Sequence, residues 1–432
     1  MPNAEPNRLA ATTLVRLIEQ GELTAEAAIE SSLARIAARE PVVRAWSHLA
    51  GEAALARARE RDRLGKKTLL NGVPFGLKDI FDTADMPTSY GSPIYVGCRP
   101  RNDASAASLP RAAGGILLGK TVTTEFATFH PGPTCNPRNP QHTPGGSSSG
   151  SAAAVADWMV PLAFGSQTAG SIIRPAAFCG VVGYKPTYGS INRVGAKMIS
   201  DTLDTLGVLA RTVADAGLFV AALSGRRELA IEEVTSDAPR IGLCRTYEWN
   251  RAHTDTMAAV EEAGRRLSAA GASVRDLTLP DPFSGLAEAQ TSIMVSEVAK
   301  CLSHEWLAHR EDLSSDMVAM IEKGLAVTPA RYDAAQSLAR ACRTLLPHVF
   351  SECEVLIAPS AIGEASSGIQ ATGDPLFNRI WTLLRTPCVH VPCASGSHGL
   401  PLGVTVVGPS HADRLTLSAA SWVQGKIGLS DL

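Results

Sequence analysis

The sequence predicts one α/β domain that spans residues 1–432 and carries a mostly helical insertion near residues 283–350. Short apolar runs typical of strands alternate along the chain with segments whose apolar residues recur at helical spacing. Residues 241–279 follow the strand–helix–strand pattern of a βαβ unit. Because no internal repeat, low-complexity tract or clean linker divides the chain, we expect one core rather than two domains.

The N-terminal part predicts helices on the outside of a sheet. Residues 9–19, 24–39 and 51–66 place apolar side chains at helical spacing. Thr24 is a suitable N-cap for the second of these helices. A short apolar strand is predicted directly afterwards, over residues 73–77.

The rest of the chain continues the alternation. We expect a helix over residues 103–113, which Pro110 interrupts, and a long loop over residues 128–144. Further elements are predicted as helices over residues 212–223, 254–270 and 412–423 and as strands over residues 115–119, 241–244, 273–279, 355–358, 388–391 and 403–407.

Composition and charge restrict the class of protein. Hydrophobic residues make up 45% of the chain, charged residues make up 19%, and the formal net charge is −2, which is typical of a soluble globule. Neither a basic stripe nor a long apolar span is present, so we expect no nucleic-acid partner and no membrane. The N-terminus lacks the pattern of a signal peptide, and we expect a cytoplasmic protein.

The nine cysteines are scattered and form no C-x-x-C pair. An odd number in a chain of this length argues against a disulfide framework, so we expect free thiols in a reducing compartment. The spacing of Cys388 and Cys393 does not match a zinc pair, and we expect no metal site.

The segment over residues 143–183 is rich in glycine and serine and poor in large side chains. Two Gly/Ser clusters flank a small-residue helix and an apolar strand. Glycine lets backbones approach closely, and serine hydroxyls act as nucleophiles or proton relays. The pattern is compatible with a tight helix–strand crossing, but two such turns in one unit favour a catalytic centre.

Lys78 ends the predicted strand over residues 73–77 and has apolar neighbours, among them Leu77 and Ile80. A lysine in this position is often a surface residue whose stem lies on apolar groups. Burial would instead lower the pKa of its amine, by up to about 3–5 units when burial is complete. Lys78 would then be a base that works near neutral pH.

Two other motif matches are rejected on their context. Residues Gly114–Thr121 match the phosphate-loop pattern G-x-x-x-x-G-K-[ST], but a helix precedes them and Ile116-Leu117-Leu118 favour burial in a strand. Residues 146–150 match G-x-S-x-G, which would make Ser148 a hydrolase nucleophile. That motif requires a strand directly before it, and N-P-Q-H-T-P-G cannot form one.

The chain resembles the amidase signature family in five stretches: G-V-P-F-G-L-K-D, G-G-I-L-L-G-K-T, P-G-G-S-S-S-G-S-A-A-A-V-A, A-G-S-I-I-R-P-A-A-F-C-G-V-V-G-Y-K-P-T and G-L-P-L-G-V-T-V-V-G. The likeness extends from about residue 9 to residue 423. It implies a single domain with a mixed central β-sheet covered by α-helices on both faces. It also implies an amidohydrolase that forms an acyl-enzyme and needs no metal or organic cofactor.

By motif position, the resemblance implies a Ser–cisSer–Lys triad. Ser171 would be the nucleophile, Ser147 the bridging serine on a cis peptide bond, and Lys78 the base. The oxyanion hole would consist of consecutive backbone amides, those of Thr168, Ala169, Gly170 and Ser171. Ser148 and Ser166 would support the site by hydrogen bonding, although each is also compatible with a plain turn residue.

The chain departs from the common family pattern at several positions. Ser149 replaces a glycine, Gln167 and Ala169 replace the D-x-G of D-x-G-G-S, and the arginine falls three residues after the nucleophile, at Arg174. This Q-T-x-G-S-x-I-R-P arrangement resembles malonamidase-type and carboxybiuret-hydrolase-type members, in which the arginine is associated with a substrate carboxylate. Arg174 therefore predicts a small amide with an acid group, and a structural ion pair is an equal alternative.

The expected partner is a small-molecule amide substrate, and a homodimer remains open. The alternative function is the catalytic subunit of an aminoacyl-tRNA amidotransferase, which would need partner subunits. The lack of a basic surface signal, together with Gln167 and Arg174, weighs against it. An ATP-dependent enzyme that uses Gly114–Thr121 is a third reading.

Overall fold

A mixed β-sheet forms the centre of the fold in the computed structural model, which describes residues 5–231 and 237–429. Within these residues the sheet has 11 strands, in the order β1-β3-β2-β4-β6-β5-β10-β11-β9-β7-β8. The strands are β1 (Trp46–Leu49), β2 (Pro74–Lys78), β3 (Ile116–Thr121), β4 (Leu162–Gln167), β5 (Val182–Lys185), β6 (Thr205–Ala210), β7 (Arg240–Cys244), β8 (Ser273–Leu277), β9 (Val355–Pro359), β10 (Cys388–Ser395) and β11 (Pro401–Val407).

Helices connect these strands. The helices are α1 (Ala11–Gln20), α2 (Ala25–Val43), α3 (Gly51–Leu64), α4 (Ser105–Ala112), α5 (Ser149–Ala156), α6 (Ile173–Cys179), α7 (Val213–Ser224), α8 (Thr254–Ala269), α9 (Leu286–Cys301), α10 (Ser303–Ala308), α11 (Ser315–Leu325), α12 (Pro329–Val349), α13 (Leu376–Leu383) and α14 (Asp413–Ile427). Helices α9 to α12 all lie between β8 and β9 in the chain. None of the described helices combines the length and hydropathy needed to cross a bilayer.

The sheet separates two hydrophobic cores. Along β4, Leu162 and Phe164 pack into one cluster, whereas Ala163 between them packs into the other. This alternation follows from the period of two in strand side chains. The cluster of Ala163 includes buried residues of α5, α6 and α9, and the other includes residues of α7, α8 and α14. The predicted fold class, a mixed sheet with helices on both faces, is confirmed.

Strand β2 lies between β3 and β4 and is parallel to both. Parallel strands that are neighbours end at the same edge of a sheet. The carboxyl ends of β2 and β4 therefore carry Lys78 and Ser166 to adjacent positions at this edge.

Most predicted elements agree with the structure to within a few residues. Thr24 is the N-cap of α2, and its side chain accepts a hydrogen bond of 3.1 Å from the amide of Ala27. Strands β1, β5 and β6 were not predicted. β6 is buried throughout, and its run T-L-G-V-L-A shows no alternation of apolar and polar residues that would mark a strand.

The phosphate-loop match does not form a loop. Residues Ile116–Thr121 are strand β3, and the preceding element is helix α4. The amine of Lys120 is buried and lies 2.9 Å from the carboxylate of Asp79. A phosphate loop needs exposed amides followed by a helix, so this segment lacks that geometry.

Candidate active site

Lys78, at the end of β2, is fully buried, and its amine contacts two serine hydroxyls. The distance from Nζ is 2.7 Å to Ser147 Oγ and 2.8 Å to Ser166 Oγ. Burial lowers the pKa of Lys78 to about 7, and the carboxylate of Asp204 acts in the opposite direction. A substantial fraction of this amine is therefore neutral near pH 7 and able to accept a proton.

Ser147 follows a cis peptide bond that joins it to Gly146. The carbonyl of Gly146 accepts a hydrogen bond of 2.7 Å from Nη2 of Arg174. The carbonyl of Ser147 accepts one of 3.3 Å from the amide of Thr124. Both sides of the serine are thus tied to other parts of the chain.

Ser148 contacts the strand that carries Ser166. Its hydroxyl accepts a hydrogen bond of 3.3 Å from the Ser166 amide and donates one of 3.4 Å to the Ser166 carbonyl. Ser148 therefore joins the start of α5 to the end of β4, and it does not contact the amine of Lys78.

Ser171 lies in the turn between β4 and α6 and lines a narrow cavity of about 20 Å³. The cavity also has polar walls at Thr128, Thr168 and Arg174. Within the described ranges, the Ser171 hydroxyl makes no hydrogen bond, so the structure brings Lys78 together with Ser147 and Ser166 but does not join Ser171 to them. Catalytic hydrogen bonds often tighten only when substrate binds.

The backbone amides of residues 168–171 have no hydrogen-bond acceptor among the residues that the structure describes. The next two amides, of Ile172 and Ile173, both donate to Oε1 of Gln167, at 2.9 and 3.1 Å. Gln167 thus organises the start of α6 and leaves the preceding amides open. Open amides beside a hydroxyl can stabilise the negative oxygen that forms during acyl transfer.

Three side chains from distant elements hold this turn. Thr382 of α13 donates to the carbonyl of Ala169 at 2.8 Å, and Gln290 of α9 donates to the carbonyl of Thr168 at 2.9 Å. The hydroxyl of Thr168 donates to the carboxylate of Asp204. Sequence reasoning missed all three because each lies far from the turn in the chain and belongs to no local motif.

Gly170 is required by close packing. A Cβ atom at this position would lie 2.7 Å from Cβ of Pro375 and 3.1 Å from Cβ of Asn378. Any side chain there would displace the turn or the segment before α13. The glycine therefore lets residues 372–382 approach the amides of the turn, in agreement with the idea that this stretch caps the pocket.

Arg174 is buried and is bound by neutral acceptors. Nη1 donates to the carbonyl of Gly373 at 2.7 Å, and Nη2 donates to Thr372 Oγ1 at 3.1 Å as well as to Gly146. Nε is buried without a partner among the described residues. Burial lowers the pKa of the guanidinium to about 9.

No carboxylate of the described ranges forms an ion pair with Arg174. The nearest contribution comes from Asp374, but its carboxylate pairs instead with Arg379, at 2.9 Å. The expected alternative of a structural ion pair is therefore not found. A buried cation on the cavity wall without a carboxylate partner suits an anionic group of a ligand.

Comparison with known proteins agrees with this geometry. The family model for Amidase matches residues 27–417. The chain belongs to the amidase family. As an amidase it is an amidohydrolase that acts on C–N bonds, and both predictions, of the family and of the enzyme class, are confirmed.

The relatives of this amidase include proteins of different roles. It is 32% identical over 468 residues to a glutamyl-tRNA(Gln) amidotransferase subunit of Mycobacterium leprae, with 94% of each chain covered. A crystal structure of an amidase matches with a TM-score of 0.89 and 29% identity over 97% of this chain and 100% of that chain. The peptide amidase of Stenotrophomonas maltophilia matches with a TM-score of 0.81 and 29% identity over 97% of both chains. These relatives do not confirm the malonamidase-type or carboxybiuret-type subgroup.

Proposed function

We propose that this amidase hydrolyses a small carboxylic amide that carries a carboxylate, through an acyl intermediate on Ser171, and releases ammonia. The observation that carries the proposal is the buried amine of Lys78, which contacts two serine hydroxyls at 2.7 and 2.8 Å. An amine with a pKa of about 7 is suited to proton transfer at neutral pH.

In the first step, Ser171 Oγ attacks the carbonyl carbon of the amide. Its proton passes to Ser147 Oγ as the proton of Ser147 passes to the neutral amine of Lys78. The oxygen of the former carbonyl becomes negative and accepts hydrogen bonds from the open amides of residues 168–171. Losing one such donor typically costs about 10²–10³ in rate.

In the second step, the C–N bond breaks and the proton returns from Lys78 through Ser147 to the departing nitrogen, which leaves as ammonia. A water molecule then attacks the acyl carbon, and its proton follows the same route to Lys78. Breaking the bond to Ser171 Oγ returns the proton to that oxygen and releases the carboxylic acid.

Arg174 is the proposed binding group for the carboxylate of the substrate, because it lines the cavity and lacks a carboxylate partner. Replacing Arg174 by methionine is expected to lower kcat/KM for malonamate by about 10–100-fold, the value of a charge-assisted hydrogen bond, and to affect propionamide much less. Steady-state ammonia release measures both substrates. Arg174→Lys, which keeps the charge, is expected to retain part of the preference, and an equal loss for both amides would contradict the assignment.

The function itself is tested by a screen for ammonia release. The purified protein would be assayed with malonamate, carboxybiuret, glutamine, neutral aliphatic amides and aryl amides, with Ser171→Ala as the control. We expect turnover of small amides that carry a carboxylate. A preference for neutral or aryl amides would overturn the proposed substrate class, and equal rates with Ser171→Ala would overturn the nucleophile.

The pH dependence of the reaction follows from the lowered pKa of Lys78. Only the neutral amine accepts a proton, so kcat/KM is expected to rise with pH and to reach half of its maximum near pH 7. Below that point the rate should fall about tenfold per pH unit. The measurement is an ammonia-release profile from about pH 5.5 to about pH 9 with malonamate, whose carboxylate stays ionised in that range. A flat profile would contradict a lysine base.

The same shift affects stability in a defined direction. The pKa of Lys78 is lower in the folded protein, at about 7, than the ordinary value of 10.5, so between these values the unfolded chain binds more protons. The contribution of Lys78 to the free energy of unfolding therefore increases as pH rises from about 7 to about 10.5.

The second candidate function is the amide-hydrolysing component of an amidotransferase. The curated relatives favour this alternative more strongly than they favour a free-standing enzyme, because they include glutamyl-tRNA(Gln) amidotransferase subunits with 32% identity. In that case the ammonia would pass to an acceptor bound by partner subunits. Full ammonia release by the isolated chain would favour the free-standing enzyme. Pull-down of partner subunits that stimulate glutamine hydrolysis would favour the amidotransferase.

A further inference from the structure

A cleft of about 480 Å³ lies on the surface outside the candidate active site and shares no lining residue with its cavity. Its walls come from four parts of the chain: the end of α12, the segment after α13, the segment after β5 and the segment between β11 and α14. The apolar part of the lining consists of Leu346, Pro347 and Leu384. This volume accommodates a small molecule.

Three basic side chains line this cleft, those of Arg343, Arg385 and His411. None of them forms an ion pair with a carboxylate in the described part of the chain. Burial lowers the pKa of Arg343 to about 10, and the charges of Arg385 and Arg340 lower it further. Like charges are thus held near one another without a protein counter-ion, which is unfavourable unless an anion joins them.

Contacts with neutral groups hold the two arginines in place. Nε and Nη2 of Arg343 donate to the carbonyl of Leu383 at 3.0 and 2.9 Å, which caps the end of α13. The guanidinium of Arg385 lies 4.3 Å from the ring centre of Tyr188. Nε of Arg385 is buried and finds no partner among the described residues. These contacts orient the guanidinium groups but do not neutralise them.

The backbone presents two of these side chains from an uncommon conformation. Arg385 and His411 have φ of 64° and 66°, in the left-handed region that non-glycine residues rarely adopt. Such conformations cluster at functional sites, where the surrounding structure maintains them.

The carboxylate nearest in sequence to these groups is already occupied. Asp413 is buried, and it accepts hydrogen bonds from the amide and hydroxyl of Thr187 and from the hydroxyl of Tyr184. Its closest arginine is Arg226, at 3.8 Å, which does not line the cleft. Asp413 therefore does not supply the missing counter-ion.

We propose that this cleft binds a small-molecule anion in which a phosphate group is joined to a planar apolar body. Guanidinium groups match the oxygens of a phosphate with parallel hydrogen bonds. Tyr188 together with Leu346 and Leu384 offers the apolar surface on which a planar body packs.

The test is calorimetric titration of the full-length chain with phenyl phosphate at low ionic strength. We expect saturable binding at one site, weaker binding of inorganic phosphate, and no measurable binding of phenol. Arg385→Gln is expected to weaken the binding of phenyl phosphate about tenfold or more, whereas Arg385→Lys is expected to weaken it less. Arg101→Gln, which removes an exposed arginine elsewhere, is the matched control and should bind like the wild type.

Several outcomes would overturn the proposal. These are no saturable binding to the wild-type chain, unchanged affinity in Arg385→Gln, or benzoate bound as tightly as phenyl phosphate, which would assign a carboxylate ligand instead. Thermal unfolding of each variant shows whether the fold is retained. Tyr188→Leu, expected to weaken phenyl phosphate but not inorganic phosphate, supplies a second readout that does not depend on charge.

Discussion

Replacing Lys78 by methionine is expected to lower kcat/KM for the best amide substrate by at least about 10³-fold. Methionine nearly matches the length of lysine but cannot accept a proton from Ser147. The amine is buried and contacts only hydroxyl groups at 2.7 and 2.8 Å, so its removal does not leave a buried carboxylate without a partner. The measurement is steady-state ammonia release, with thermal unfolding to verify that the variant is folded.

The matched control is Lys67→Met, which changes an exposed lysine after α3. Surface substitutions of this kind usually change stability by less than about 0.5 kcal/mol, and we expect activity close to that of the wild type. A folded Lys78→Met protein that keeps more than about a tenth of the activity would exclude this lysine as the base.

Replacing Ser171 by alanine is expected to abolish the acyl-enzyme and to lower kcat by at least about 10³-fold. The hydroxyl lines the cavity beside the open amides of residues 168–171, whereas the hydroxyls of Ser147 and Ser166 contact the amine of Lys78. Mass spectrometry after mixing with a small aryl ester should find the added acyl group on the peptide that contains Ser171, and on no peptide of the variant.

Two comparisons sharpen this experiment. Ser351→Ala, at an exposed position after α12, should leave both the activity and the acylated peptide unchanged. Ser147→Ala keeps the proposed nucleophile but removes the relay, so acylation should slow while the adduct stays on Ser171. An adduct on Ser147 or Ser166 in the wild-type chain would contradict the proposed roles.

The positions that the motifs single out are grouped in the folded chain. Lys78 and Ser147 are 69 positions apart in sequence, yet their side chains meet because parallel strands β2 and β4 end at one edge of the sheet. The catalytic roles of these residues and of Ser171 remain proposals. The alternation of strands and helices was enough to predict the fold class, which the structure confirms.

Elements without a local pattern were missed. Strand β6 lies between β4 and β5 in the middle of the sheet and is buried on both faces, so its sequence shows no period of two. Strand β1 is only four residues long and pairs at the sheet edge with β3. Only their partners in the sheet make them strands.

The sequence by itself determined the family, the fold class and the candidate chemical groups, because these follow from motifs and spacings within short stretches. Tertiary structure alone decided the state and surroundings of those groups. Burial of Lys78 lowers its pKa to about 7, and Gln290 reaches the carbonyl of Thr168 across 122 positions of the chain. Desolvation and such hydrogen bonds depend on which distant segments meet in space, and no local pattern of residues specifies them.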